Sequence, residues 1–235
     1  MNKLFTFGCS YTEGFSDEYT QSDVYLEYKK FKGGNFPKSW PQILSEKLGF
    51  ESHNYGEGAS GNQQIFNTFC KKCREFNEGD IIIIEWSFPE RYRIAIDDNS
   101  WIKLGPGLAP AEYISQKTHE EILVNRTLKP YKDELYDYEN IMDLLSEKIG
   151  FKIYYWTPIH SIIYTLPPKI LLQEKYLLCD MMKDRHYNTF RVIHDYGGKL
   201  ISEETNGIIE DAHLGESGHR VQAELFYNHI INFHK

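Results

Sequence analysis

Hydrophobic positions fall along this chain in two rhythms. Short continuous apolar runs at 4–7, 81–86 and 151–156 are cut off by glycine, proline or charged residues, and they read as buried strands. Between them apolar residues recur three and four positions apart. Trp40, Ile43, Leu44 and Leu48 form one such stripe, with Ser39 as N-cap, Pro41 in the first turn and Gly49 as the stop. Further helices are predicted over 63–76, 131–149, 168–182 and 216–233. Residues 51–55 read as a second strand, and 191–193 and 199–201 as short ones.

Strands alternating with helices predict an α/β protein whose parallel sheet is covered by helices on both faces. The pattern shows neither an internal repeat nor a linker, so all of 1–235 is read as one domain, with an insertion at about 88–130 placed to form a lid or wall. In such sheets ligands bind at the C-terminal strand ends. Ser10, the glycine-rich turn after Tyr55 and the Trp86 end of the third strand are expected to meet there.

Composition narrows the function classes. With 26 Lys and Arg against 34 Asp and Glu the net charge is −8, which argues against a nucleic-acid surface. No apolar stretch reads as a signal peptide or a membrane span, so a cytoplasmic protein without a membrane partner is expected. The 4 cysteines make no disulfide framework. Cys70 and Cys73 are a lone C-x-x-C pair inside a predicted helix, short of the four ligands of a structural zinc site. Gly56, Gly58 and Gly61 satisfy a dinucleotide-binding spacing. They follow the second strand, however, and Asp80, about twenty positions on, precedes a strand instead of ending one.

The chemistry-bearing positions are Gly8-Cys9-Ser10-Tyr11-Thr12 after strand one, Gly58-x-x-Gly61-Asn62 after strand two, and Asp211-Ala212-His213 before the last helix. A serine hydroxyl becomes a nucleophile when a base takes its proton. An imidazole is a suitable base near neutrality, and a carboxylate orients it and stabilises the imidazolium. The oxyanion then needs fixed donors, for which the Ser10 and Gly58 amides and the Asn62 side chain are candidates. Cys9, Arg91, His160 and Trp86 lie near the same edge and have blander readings as turn, loop or core residues.

In order and content these blocks resemble the SGNH (GDSL-type) hydrolase family. Gly8-Cys9-Ser10-Tyr11-Thr12 is similar to its first block, with Cys9 where Asp is usual. Asn54-Tyr55-Gly56-Glu57-Gly58 is similar to the second, and Asp211-Ala212-His213 followed by Gly218 to the last. The resemblance implies a flavodoxin-like three-layer α/β/α sandwich and metal-free, cofactor-free hydrolysis of esters. It implies Ser10, Asp211 and His213 as the catalytic residues, and Gly58 and Asn62 as oxyanion or substrate-binding residues.

Two departures stand out. The third strand ends Glu85-Trp86-Ser87-Phe88 where the family has Gly-x-Asn-Asp, so Asn62 is the candidate replacement for its side-chain donor. Asp211 stands two residues before His213 where three is usual, and Glu210 occupies the third position; Asp211 is preferred as the commoner partner. Family habit and aromatic loops favour O-acetyl groups on carbohydrate as substrate. The rival reading is a weak or inactive glycan-binding module. The two differ in geometry, since an enzyme needs Ser10 Oγ within hydrogen-bond reach of the His213 ring.

Overall fold

The computed structural model describes residues 1–15, 23–88, 91–95, 101–104, 128–158, 176–177 and 189–232, with backbone only at 92–95, 101–104 and 128–133. Its strands are β1 (Lys3–Gly8), β2 (Glu51–Gly56), β3 (Ile81–Glu85), β4 (Tyr92–Ala95), β5 (Trp101–Leu104) and β6 (Lys152–Trp156). Its helices are α1 (Ser10–Glu13), α2 (Asp23–Phe31), α3 (Trp40–Leu48), α4 (Asn62–Lys72), α5 (Leu128–Ile149), α6 (Thr189–Asp195), α7 (Ile201–Glu204) and α8 (Glu216–Asn232). Among these, no helix is long and apolar enough to cross a membrane.

Four strands pair in parallel in the order β2-β1-β3-β6. This is the flavodoxin-like order, and the direction of winding reverses between β1 and β3. Tyr176 extends the sheet by one parallel bridge to Tyr155 of β6.

Side chains of a strand alternate between the faces of the sheet, so β1, β3 and β6 feed two cores. Phe5, Phe7, Ile82, Ile84, Ile153 and Tyr155 pack under α4 and α5, with Ile65, Phe69, Leu135 and Met142. Leu4, Ile81, Ile83, Tyr154 and Trp156 pack on the other face with Trp40 and Leu44 of α3, Val192 of α6 and Phe226 of α8. The result is the expected three-layer α/β/α arrangement. Each fully buried large apolar side chain contributes about 1.5–3 kcal/mol relative to exposure.

The predicted α3 boundaries hold. The Ser39 N–H donates to Gln42 Oε1 at 3.0 Å, and Gly49 closes the helix with φ +69°. Two expectations are corrected. Residues 191–193 are not a strand: they lie within α6, where Val192 and Ile193 face the core beside α8, and that packing overrides the β preference of a branched pair. At 199–201 only Leu200 makes a bridge, to Leu214, and Ile201 already opens α7. The expected 168–182 helix lies mostly outside the described residues, and Tyr176 within it is extended. Within the 88–130 insertion, β4 and β5 pair antiparallel, which the weak signals of this stretch did not announce.

Candidate active site

Ser10 sits where β1 gives way to α1, at the reversal point of the sheet. Cys9 is extended at φ −97°, and its carbonyl accepts the Thr12 and Glu13 N–H groups at 3.0 and 2.9 Å, closing a sharp strand-to-helix turn. Cys9 and Thr12 point inward and are fully buried, while Ser10 and Tyr11 face outward. The turn is held from its flanks. From β2, the Asn54 amide donates to the carbonyls of Thr12 and Glu13 at 2.9 and 3.1 Å. From α3, the Trp40 indole donates to the Tyr11 carbonyl at 3.0 Å.

Glu85, at the end of β3, lies beneath the turn with 0% exposure. Its Oε2 accepts the Cys9 N–H at 3.2 Å and the Thr12 hydroxyl, and its Oε1 meets Cys9 Sγ at 2.7 Å. Burial raises the Glu85 carboxyl to about 7, against the opposing pull of the Cys9 and Thr12 hydrogen bonds. Burial, then the Glu85 charge, pushes the Cys9 thiol far up as well. Cys9 is thus an inert inward-facing thiol and not the nucleophile. The glycine that ends β1 is explained by the same group. A Cβ on Gly8 would collide with the Glu85 carboxylate and the Thr12 hydroxyl.

The His213 loop is built from the other end of the chain. Asp211 Oδ1 accepts the His213 N–H at 2.7 Å, and the His213 carbonyl accepts the Ile201 N–H at 2.9 Å. Glu204 of α7 anchors the start of α8: its Oε1 accepts the Ser217 N–H at 2.6 Å and its Oε2 accepts the Tyr28 hydroxyl at 2.5 Å. Lys32 pairs with it at 3.0 Å. Burial alone would raise the Glu204 carboxyl, but the bonds from Ser217, Tyr28 and Lys32 outweigh it and hold the group at about 2.

Across the two loops the structure forms a continuous relay. His213 Nε2 lies 2.9 Å from Ser10 Oγ, and His213 Nδ1 lies 2.8 Å from Asp211 Oδ1. Burial opposes ionisation of Asp211, yet its bonds to His213 keep the carboxyl below its ordinary value. Glu210 is exposed, so the open choice between the two carboxylates falls to Asp211. The imidazole is flanked by aromatic rings. Tyr11 lies 4.8 Å and Tyr25 5.6 Å from it, centroid to centroid, and Phe190 stands edge-on to Tyr11 at 4.9 Å. Burial, followed by the Cys9 charge, raises the Tyr11 hydroxyl to about 12, so it stays protonated.

The remaining candidates divide. A Cβ on Gly58 would lie 3.0 Å from Glu13 Oε2 of α1, so its turn runs beside the Ser10 helix. Asn62 is buried in a two-way clasp with Ser87: its Nδ2 donates to the Ser87 carbonyl at 3.1 Å and its Oδ1 accepts the Ser87 N–H at 2.7 Å. The side chain therefore ties α4 to the end of β3 and is not the uncommitted donor the sequence suggested. The glycine spacing at 56–61 does not make a phosphate cradle. A Cβ on Gly56 would strike the backbone at Glu13, and one on Gly61 the carbonyl of Arg91, so the chain itself fills that space.

Trp86 is core, fully buried, with its indole donating to Glu139 at 2.9 Å. His219 is buried too: its Nδ1 accepts the Trp40 N–H at 3.3 Å, and burial lowers its pKa to about 3. The Arg91 guanidinium lies 4.4 Å from the Phe88 ring centroid. Among the described residues no group of three or more His, Cys, Asp or Glu side chains is placed to hold a metal. His160 and the expected wall at 105–127 lie outside the described residues. Sequence reasoning missed Glu85 and Tyr25 as neighbours of the site. For Glu85 there was a signal, a carboxylate closing an otherwise wholly apolar strand.

No protein-family description matches the chain, and no curated protein matches it. Two solved structures are similar to it. One is a member of the lipolytic protein G-D-S-L family from Veillonella parvula DSM 2008, with 14% identity over 96% of each chain and a TM-score of 0.49. The other is a protein from Desulfitobacterium hafniense DCB-2 assigned to the lipolytic G-D-S-L family, with 12% identity over 97% of this chain and 99% of that one, and a TM-score of 0.45. At these identities no chemistry carries over from either, and the site rests on its own geometry.

Proposed function

We propose that the protein is a serine ester hydrolase. The observation that carries this reading is the unbroken Ser10–His213–Asp211 relay at 2.9 and 2.8 Å. The block order resembling SGNH hydrolases agrees with it. His213 Nε2 takes the Ser10 proton as Oγ attacks the ester carbonyl, and the charge moves to the carbonyl oxygen. Asp211 holds the Nδ1–H tautomer and stabilises the imidazolium. The Ser10 and Gly58 amides are the oxyanion donors; the Ser10 N–H, first in α1, has no intrahelical acceptor. Asn62 holds that side of the site through Ser87. The alcohol then leaves with the proton from His213. Water, deprotonated by the same imidazole, cleaves the acyl-enzyme and frees Ser10.

The substrate class we favour is a small acyl ester on carbohydrate, O-acetyl groups first, with neither nucleic acid nor membrane as partner. Tyr11 and Tyr25 beside His213, with Phe190 against Tyr11, offer apolar ring surface on which a sugar can pack. The close Ser10–His213–Asp211 geometry favours turnover over the rival reading of a weak or inactive glycan-binding module, which came from the altered first and third blocks.

The test is hydrolysis of a p-nitrophenyl ester series by the wild type and by Ser10→Ala. The expected result is turnover of the acetate that falls with chain length and is lost in the variant. Equal turnover in both proteins, or none in either, would refute the reading.

A further inference from the structure

We infer that Glu85 is the positioning residue of the nucleophile turn, stapling both ends of the segment that presents Ser10 to the sheet beneath it. The inference rests on the ester-hydrolase reading for its kinetic consequence, not for its geometry. Cys9 precedes Ser10 and Thr12 follows it by two, and a single oxygen, Glu85 Oε2, accepts a hydrogen bond from each. Ser10 and Tyr11 thus face outward between two residues, Cys9 and Thr12, that are both tied inward. Nothing about this arrangement involves substrate: Glu85 has 0% exposure and lies below the turn. Its effect reaches the reaction only through the position of Ser10 Oγ against His213, 2.9 Å away. An error of about 1 Å in such an alignment costs roughly a hundredfold in rate.

The two oxygens have separate duties. Oε1 faces the Cys9 thiol, and Oε2 makes the staple. A proton on Oε1 donates toward Cys9 Sγ and leaves Oε2 an acceptor, so the staple survives in the acid and in the ionised form. The charged and titratable neighbours are Cys9 from the β1 turn, Tyr11 from α1 and Arg91 from the segment before β4. The thiol and the phenol stay protonated, so neither switches the staple near neutrality. What the site requires at this position is a planar acceptor of glutamate length, and not specifically a negative charge.

That requirement separates two substitutions. Glu85→Gln keeps a carbonyl oxygen for the Cys9 N–H and the Thr12 hydroxyl. Glu85→Met fills much the same volume without any acceptor. The experiment compares both with wild type in p-nitrophenyl acetate kinetics, and in amide hydrogen exchange over residues 9–13. The expected result is kcat within about threefold of wild type for Gln, against a loss of about tenfold to a hundredfold for Met, with KM within about twofold in each. Exchange in the turn should rise at least about tenfold in Met alone.

Equal kcat and equal exchange in the Gln and Met variants would overturn the inference. If Glu85→Met does not fold, Thr12→Val removes one arm of the staple: faster exchange at 9–13 with reduced kcat supports the inference, and wild-type values for both overturn it. If the wild type itself hydrolyses no ester, the functional reading fails by that result alone. Hydrogen exchange then still decides the staple, since faster exchange in Met than in Gln supports it and equal exchange overturns it.

Discussion

Glu85→Gln is expected to change how stability depends on pH while leaving stability in acid nearly unchanged. Burial raises the Glu85 carboxyl from its ordinary 4.5 to about 7. Between those values the folded protein keeps a proton that the unfolded chain has released. Stability therefore falls as pH rises, by about 1.4 kcal/mol per unit at most, because the folded state binds the extra proton. The contribution is fully present below pH 4.5 and lost once pH passes about 7. Over about 2.5 units the loss amounts to roughly 3 kcal/mol, and Glu85 is fully buried, so solvent screening does little to reduce it. Glutamine has no such proton. Urea unfolding of both proteins at several pH values from about 4.5 to about 8 should show the variant gaining roughly 3 kcal/mol over wild type across that range. Groups common to both proteins cancel in the difference. A difference flat within about 0.5 kcal/mol would mean that Glu85 is ionised throughout in the folded state, and would refute the reasoning.

Three further outcomes are expected. Asp211→Asn removes the carboxylate that fixes the His213 tautomer, and should lower kcat on p-nitrophenyl acetate by about a thousandfold or more with KM little changed. Gly8→Ala forces a methyl group into the space of the Glu85 carboxylate and the Thr12 hydroxyl, and should cost about 1–3 kcal/mol in thermal or urea unfolding and lower kcat as well. Glu204→Gln weakens the clasp on Ser217, Tyr28 and Lys32. Because the Glu204 carboxyl is depressed to about 2, its contribution is present above its ordinary 4.5 and lost as pH falls toward 2. The variant should therefore be less stable by about 1–3 kcal/mol at neutral pH, with the gap closing in acid; a gap independent of pH would contradict the clasp.

Much of the frame was legible because periodicity is a local property. The alternation of short apolar runs with amphipathic stretches located the four parallel strands and four of the eight described helices, and the Ser39 cap and Gly49 stop marked α3 to the residue. The short segments after residue 188 were misread because Val192, Ile193 and Leu200 suit strands by their own preference, and only packing against the last helix and the His213 loop decides otherwise. The antiparallel pairing of β4 with β5 is one that their residues do not announce.

The same division runs through the site. Ser10, Asp211 and His213 were readable through the order of their blocks along the chain, since each alone is commonly a turn, cap or surface residue. Their meeting spans 203 residues of chain and depends on the crossover that sets β1 and the last loop at one edge. The choice of Asp211 over Glu210 was settled by which carboxylate faces the ring, a matter of loop conformation. Asn62 and Glu85 show the limit most clearly. The sequence by itself determined that an amide follows the glycine turn and that a carboxylate closes the third strand. Only the tertiary structure decided that the amide is bound up with Ser87 and that the carboxylate lies under the turn that carries Ser10. A hydrogen-bonding group joins whichever partners the fold brings within about 3 Å, and that proximity is not written in its neighbours along the chain.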